Sequence, residues 1–339
     1  MRSAFAASLL LLAASVAVSA QQYKVTGSIP IPGEGGWDYL YADSGNRTLY
    51  VAHNTVVDIV NLDSEKPVGK ISGMKHVHGI AVADGMNRGF ISDGGSGVVV
   101  VFDLKTHAVL QKVKAGMNPD GILYDPASKR VFAFNGGSHD ATAIDAATGK
   151  VAGTIELGGK PEFPATDAKG HVYVNIEDKS ELVLLDPQQL KVKERWPLAP
   201  CEEPSGLSID VRSRRLFSVC DNKLMAVVDA DNGKVVTTVP IGQGPDADRY
   251  DAARKLAFSS NGHDGTLTVV KQEGANKYSV AETVTTEKSA RTMALDRKTH
   301  KIYLAAAKLG PPPAPSEGDP HPRPSIVPGS FHLVVVSPQ

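Results

Sequence analysis

Seven positions of this chain can contribute to one patch of chemistry: Asp38, Gly79, Asp120, Glu162, Ser205, Asp246 and Arg291. Each stands five residues ahead of a member of a recurring aspartate series: Asp43, Asp84, Asp125, Asp167, Asp210, Asp251 and Asp296. Four of the seven are carboxylates from different repeats. Brought to one mouth, like charges repel and raise each other's pKa unless a cation offsets them. Three arrangements answer that need. Arg291 and water offset the charge in a hydrated polar channel, or a divalent cation, calcium first, sits among the oxygens of Asp38, Asp120, Glu162 and Asp246. In the third, a transition metal enlists His53, His78 or His263. Glu203 and the loop residue Asn261 join these histidines on the same candidate ligand-binding face. The pattern names no catalytic residue. As a binding surface the face would take a small molecule or a protein partner. With a cation held there to polarise a carbonyl, it would serve a metal-dependent hydrolase of lactonase-like type.

Positioning these residues requires a ring of repeats. The aspartates recur about every 41 to 45 residues, a period that with strands inside it marks propeller blades. In residues 118–160, Gly121–Tyr124, Arg130–Phe134, Ala141–Ile144 and the stretch from Lys150 read as four strands with turns between them. Asp suits such turns because its carboxylate accepts backbone N–H groups a few residues on. The aspartates are therefore structural. So is a parallel aromatic series, Tyr50, Phe90, Phe132, Tyr173, Phe217, Phe258 and Tyr303, which is expected to pack between blades. The segment from Tyr23 to Ile31 resembles the last strand of a repeat, and Phe331–Val336 reads as a third strand with no fourth behind it. The fold expected is all-β, a seven-bladed β-propeller whose last blade is closed by the N-terminal strand, leaving no free sheet edge at the seam.

The repeats resemble the YVTN-type, WD40-like repeat of the YncE-like periplasmic propellers. The strings that carry the resemblance are Tyr50-Val51-Ala52-His53-Asn54, Phe132-Ala133-Phe134-Asn135-Gly136, Tyr173-Val174-Asn175 and the turns Asp145–Lys150 and Asp229–Lys234. Repeats two and seven depart most, with Ser92-Asp93 and Ala306-Ala307 where the motif asparagine belongs. The resemblance implies fold and compartment, and it implies no particular reaction.

Arg2, an apolar core around Leu9–Leu12 and the small residues Val18-Ser19-Ala20 read as a signal peptide over 1–20, so that 21–339 form one exported domain, periplasmic or secreted. No membrane span is expected after its cleavage, and a monomer is expected. With a formal net charge of −1 and no concentrated basic face, nucleic acid is not an expected partner. The cysteine pair Cys201 and Cys220 suggests one disulfide in an exported protein, with two free thiols or a metal–thiolate site as alternatives. A proline-rich insertion, 309–330, interrupts the last blade on the candidate face, as a stiff flap over the channel or as an ornament of ring closure. The chain lacks a Cys-x-x-Cys-His haem motif and the repeated tryptophans of quinoprotein propellers, having only Trp37 and Trp196.

Overall fold

Short runs of alternating or continuous apolar residues, punctuated by Asp, Asn and Gly turns, cannot bury themselves singly, so they hydrogen-bond into sheets and the sheets pack face to face. The computed structural model describes residues 23–313 and 324–339, outside which lie the expected signal peptide and the tip of the proline-rich insertion. Seven four-stranded antiparallel sheets form the blades of a propeller. Six blades use four consecutive strands each. In the seventh, Tyr23–Pro30 pairs with His332–Pro338 as the outermost strand, Val25 opposite Val336 and Ile29 opposite Leu333. The N-terminal strand thus closes the last blade.

Burial grades outward from the middle of each blade. Arg130–Asn135 and its counterparts are almost wholly buried, whereas outer strands such as Val109–Lys114 are mostly exposed. All seven members of the aromatic series are buried, and they bridge blades: Tyr50 meets Phe102 of the next blade edge-on at 5.5 Å, and Phe217 stacks on Tyr250 at 4.9 Å. Burying an aromatic ring in this way contributes about 2–3 kcal/mol per side chain.

The turn aspartates act as expected in six blades. Asp43 accepts the Asn46 N–H (3.0 Å), Asp125 that of Ser128 (2.8 Å) and Asp251 that of Ala253 (3.0 Å). Five of these six also latch blades together: Asp296 accepts from Arg47 (2.8 Å), Asp167 from Arg214 (2.7 Å), Asp251 from His300 (2.6 Å), Asp125 from Thr166 (2.7 Å) and Asp210 from Tyr250 (3.1 Å). The second blade departs from the series. There Ala83 pairs with Arg88 as Asp43 pairs with Thr48, so Asp84 lies one residue past the strand and is exposed. That slip moves every inner-strand position of the blade by one. His78, not Gly79, therefore takes the mouth position.

The innermost strands, Trp37–Asp43 and its counterparts, line a central channel in three levels. The upper level carries Asp38, His78, Asp120, Glu162, Ser205, Asp246 and Arg291. At the next level Tyr39 and Phe163 reach across from blades one and four, with ring centroids 4.2 Å apart. Gly79, Gly121 and Gly206 share this level, and at each a Cβ would come within 2.8, 2.7 and 2.6 Å of the neighbouring inner strand. The inner strands approach closely there, and the two aromatics fill the gap they leave. The lower level comprises Tyr41, Ala81, Leu123, Ala165, Ser208, Arg249 and Ala294, each paired opposite a member of the aromatic series. Four of these seven side chains are Ala or Ser, which leaves a chamber of about 500 Å³ opening at the turn-aspartate end.

Cys201 and Cys220 are joined, their Cα atoms 5.7 Å apart. The proline-rich insertion starts and ends as a narrow ribbon, in which Leu309 bridges Ile326 and Gly310 N–H donates to Ser325 O at 2.8 Å. Among the described residues no helix is long and apolar enough to cross a membrane.

Candidate functional site

The upper mouth gathers Asp38, His78, Asp120, Glu162, Asp246 and Arg291 because each blade delivers one residue from the start of its inner strand to the same height. It is the second strand residue in six blades and the residue just ahead of Thr292–Asp296 in the seventh. Ser205 serves the frame: its hydroxyl donates to the carbonyls of Pro245 (3.2 Å) and Asp246 (3.1 Å), tying adjacent inner strands. The charged members sort into clusters. His78 Nδ1 lies 2.7 Å from Asp38 Oδ2 and 3.6 Å from Asp120 Oδ1. Lys160 Nζ lies 2.8 Å from Glu162 and also contacts Glu177. Arg291 contacts Asp246 and donates to the Trp37 carbonyl at 2.8 Å. Asp38, His78 and Asp120 each offer a ligand atom, all within 4.8 Å of one another, a spacing that suits one metal ion.

Electrostatics follow from the count. Five carboxylates, with Glu177 included, face three cations at the end of a narrow channel. Burial and the charge of Asp38 push Asp120 up to about 7 against the pull of His78. Burial and Asp120 push Glu162 up to about 8 in spite of Lys160. Burial also raises Asp246, although Arg291 opposes it. The partners pull in opposite directions, since Glu162 and Glu177 hold the Lys160 ammonium charged while Glu162 is itself raised. One ammonium serves both glutamates, so it offsets only part of the negative charge around Glu162. Burial alone would lower His78, but the bond to Asp38 and the charge of Asp120 outweigh it and carry the imidazole up to about 9. Below the ring the Tyr39 hydroxyl is buried and meets no partner among the described residues.

The other residues expected at this face are dispersed. His53 is buried at the end of its strand, with Nδ1 2.8 Å from Asp58 and its ring against Phe331 at 4.3 Å. Asn261 is buried too and donates to the hydroxyls of Thr266 (3.0 Å) and Thr268 (2.9 Å), holding its own hairpin. Both occupy the motif position at the end of a second strand, one strand away from the channel wall. Glu203 and His263 are exposed loop residues at the rim. Of the four carboxylates expected to share a cation, Asp38 and Asp120 are grouped with His78, whereas Glu162 and Asp246 each face a cation of the protein itself. Lys160 was not anticipated. Its place two residues before Glu162, on an incoming loop, is the signal that points to it.

Two Escherichia coli proteins named YncE, from strains O157:H7 and K12, are 25% identical over 197 residues, covering 53% of this chain and 56% of theirs. The chain thus spans about half the length of the curated relatives it matches. No protein-family profile matches it. Among solved structures, a chain of hydrazine synthase from Kuenenia stuttgartiensis superimposes with a TM-score of 0.70 at 14% identity, covering 81% of this chain and 94% of that one. U3-55K superimposes with a TM-score of 0.75 at 8% identity, covering 92% and 98%. At these identities the two structures share the fold.

Proposed function

We propose that this YncE-like seven-bladed propeller is an exported binding module whose upper channel mouth takes a cationic group, carried by a small ligand or by a partner protein. The observation behind this reading is the excess of carboxylates over cations at that mouth, which leaves Asp120 and Glu162 holding a proton at neutral pH. An incoming cation replaces that proton and gains two carboxylates as partners. Binding therefore releases protons and strengthens as pH rises through the range in which Asp120 and Glu162 titrate. Calorimetric titration with calcium chloride, manganese chloride and putrescine, each in two buffers of different ionisation enthalpy, reads both affinity and proton release. Binding of none of the three by the wild-type protein would sink this reading.

A second reading rests on the spacing of Asp38, His78 and Asp120. It makes the protein a metal-dependent hydrolase of lactonase-like type, in which the ion polarises a substrate carbonyl. His78 would then give up its Nδ1 proton to become a ligand. The two readings part on metal content. Near-stoichiometric Mn²⁺, Zn²⁺ or Ca²⁺ in protein purified without chelator, lost together with lactone turnover in Asp120→Ala, supports the hydrolase; metal-free protein that still binds putrescine supports the binding module.

A further inference from the structure

The lower chamber has a different charge arrangement from the mouth above it. Arg249 is its recessed cation. The guanidinium donates to the Asp248 carbonyl at 2.7 Å and stands 5.5 Å from the centroid of Phe163, and among the described residues it pairs with no carboxylate. The adjacent Asp248 side chain does not serve. It is buried, and one oxygen accepts the Ser208 hydroxyl at 2.9 Å. Its carboxylate thus bonds Ser208 and makes no ion pair with the guanidinium among the described residues. Asp43, at the lower rim, is taken by Asn46, which donates to its two oxygens at 3.0 and 2.9 Å. Arg297 at the same rim adds a second positive charge. A half-buried cation without a counter-ion is costly, and desolvation in the channel lowers the pKa of Arg249 accordingly.

We propose that the lower chamber binds a small monocarboxylate with an apolar or aromatic body, its carboxylate on Arg249 and its body against Tyr41, Leu123 and Phe163. The guanidinium fork matches a planar carboxylate. The chamber, about 500 Å³, falls within the roughly 300–1,000 Å³ of small-molecule sites. Arg249 is the recessed cation and Arg297 stands at the exposed rim, so the end of a ligand that enters deepest meets a single guanidinium. This site is separate from the upper mouth and does not depend on the reading given for it.

The test is calorimetry or ligand-observed NMR with benzoate and phenylacetate as probes, against benzamide and inorganic phosphate. Saturable binding of either carboxylate at millimolar concentration or below is expected, with none of benzamide. Arg249→Met, which retains the volume, should weaken binding about thirtyfold or more, and Arg249→Lys, which keeps the charge and loses the fork, about tenfold. Putrescine should leave the benzoate affinity unchanged. The proposal is overturned if neither carboxylate binds, if benzamide binds equally well, if phosphate binds more tightly than benzoate, or if a folded Arg249→Met variant binds as the wild type does. Because the readout is a carboxylate at the lower end, its failure is distinguishable from a failure of cation binding above.

Discussion

The two ends of the channel are built from the same seven strands and differ in how their charges are settled. At the upper mouth every cation has a protein carboxylate: His78 has Asp38, Lys160 has Glu162 and Glu177, and Arg291 has Asp246. What is left over there is negative, and it is held down by protons. In the lower chamber the recessed Arg249 guanidinium is left over, with Arg297 at the rim, and burial pushes the adjacent Asp248 carboxyl up to about 8. The Tyr39 and Phe163 rings stand between the two levels. The propeller, as a scaffold, does not decide the sign of its channel. One side chain per blade, at a chosen height, does.

The largest effect is expected where the two rings cross the channel. Phe163→Ala removes one of the two rings that divide the channel and the face on which Arg249 rests; it should cost about 3 kcal/mol in urea denaturation and couple the two ends. A loss below 1 kcal/mol, with carboxylate and cation probes still independent, would mean that the layer is no partition. Arg291→Met strands Asp246 and frees the Trp37 carbonyl. With the guanidinium partly open to solvent, the expected loss is about 2 kcal/mol by the same measurement, and benzoate binding below should be unaffected.

A third experiment addresses the protons. The folded pKa values of Asp120 and Glu162 are raised above their unfolded values. The stability they contribute is therefore present in full at acid pH, below the unfolded values, and is lost as pH rises through about 7 and 8. Melting temperature in the wild-type protein should fall from about pH 5 to about pH 9, and the double variant Asp120→Asn, Glu162→Gln should flatten that fall. An unchanged slope would place the titrating groups elsewhere. The smallest effect sharpens the lower half. If Asp248 is neutral, Asp248→Asn should shift stability by less than about 1 kcal/mol at pH 7. A loss of several kcal/mol would show an ionised Asp248 compensating Arg249, and would remove the reason for an anionic ligand.

Much of this was legible in the sequence because a strand's side chains alternate and the blade repeats its register. Counting back from the turn aspartate reached Asp38, Asp120, Glu162, Ser205, Asp246 and Arg291 in six blades. It failed in the second blade, where Asp84 sits one residue past the strand end and Gly79 was placed where His78 stands. The pairing of Arg88 with Ala83 sets that register, and it is a cross-strand fact. Asn261 and His53 were placed at the face because they end strands near the upper rim. Their side chains are instead held within their own blades by Thr266, Thr268 and Asp58, partners supplied by the next strand.

Arg249 was open to view as a charge within an inner-strand run that is mostly apolar or small in the other blades, and the same register counting, two residues before each turn aspartate, would have found it beside Ala165, Ser208 and Ala294. Whether it was paired could not be read that way. By itself the sequence determined the repeat, the four-strand blade, the closure of the ring by the N-terminal strand and the height at which most channel residues stand, because hydrogen-bonded strands of fixed length translate residue spacing into position. The fold sets which charges meet, which carboxyls are pushed up by burial and where two rings cross the channel. Those depend on distances across the ring, between residues as far apart in sequence as Tyr39 and Phe163 or Trp37 and Arg291, and on the solvent that the closed ring excludes.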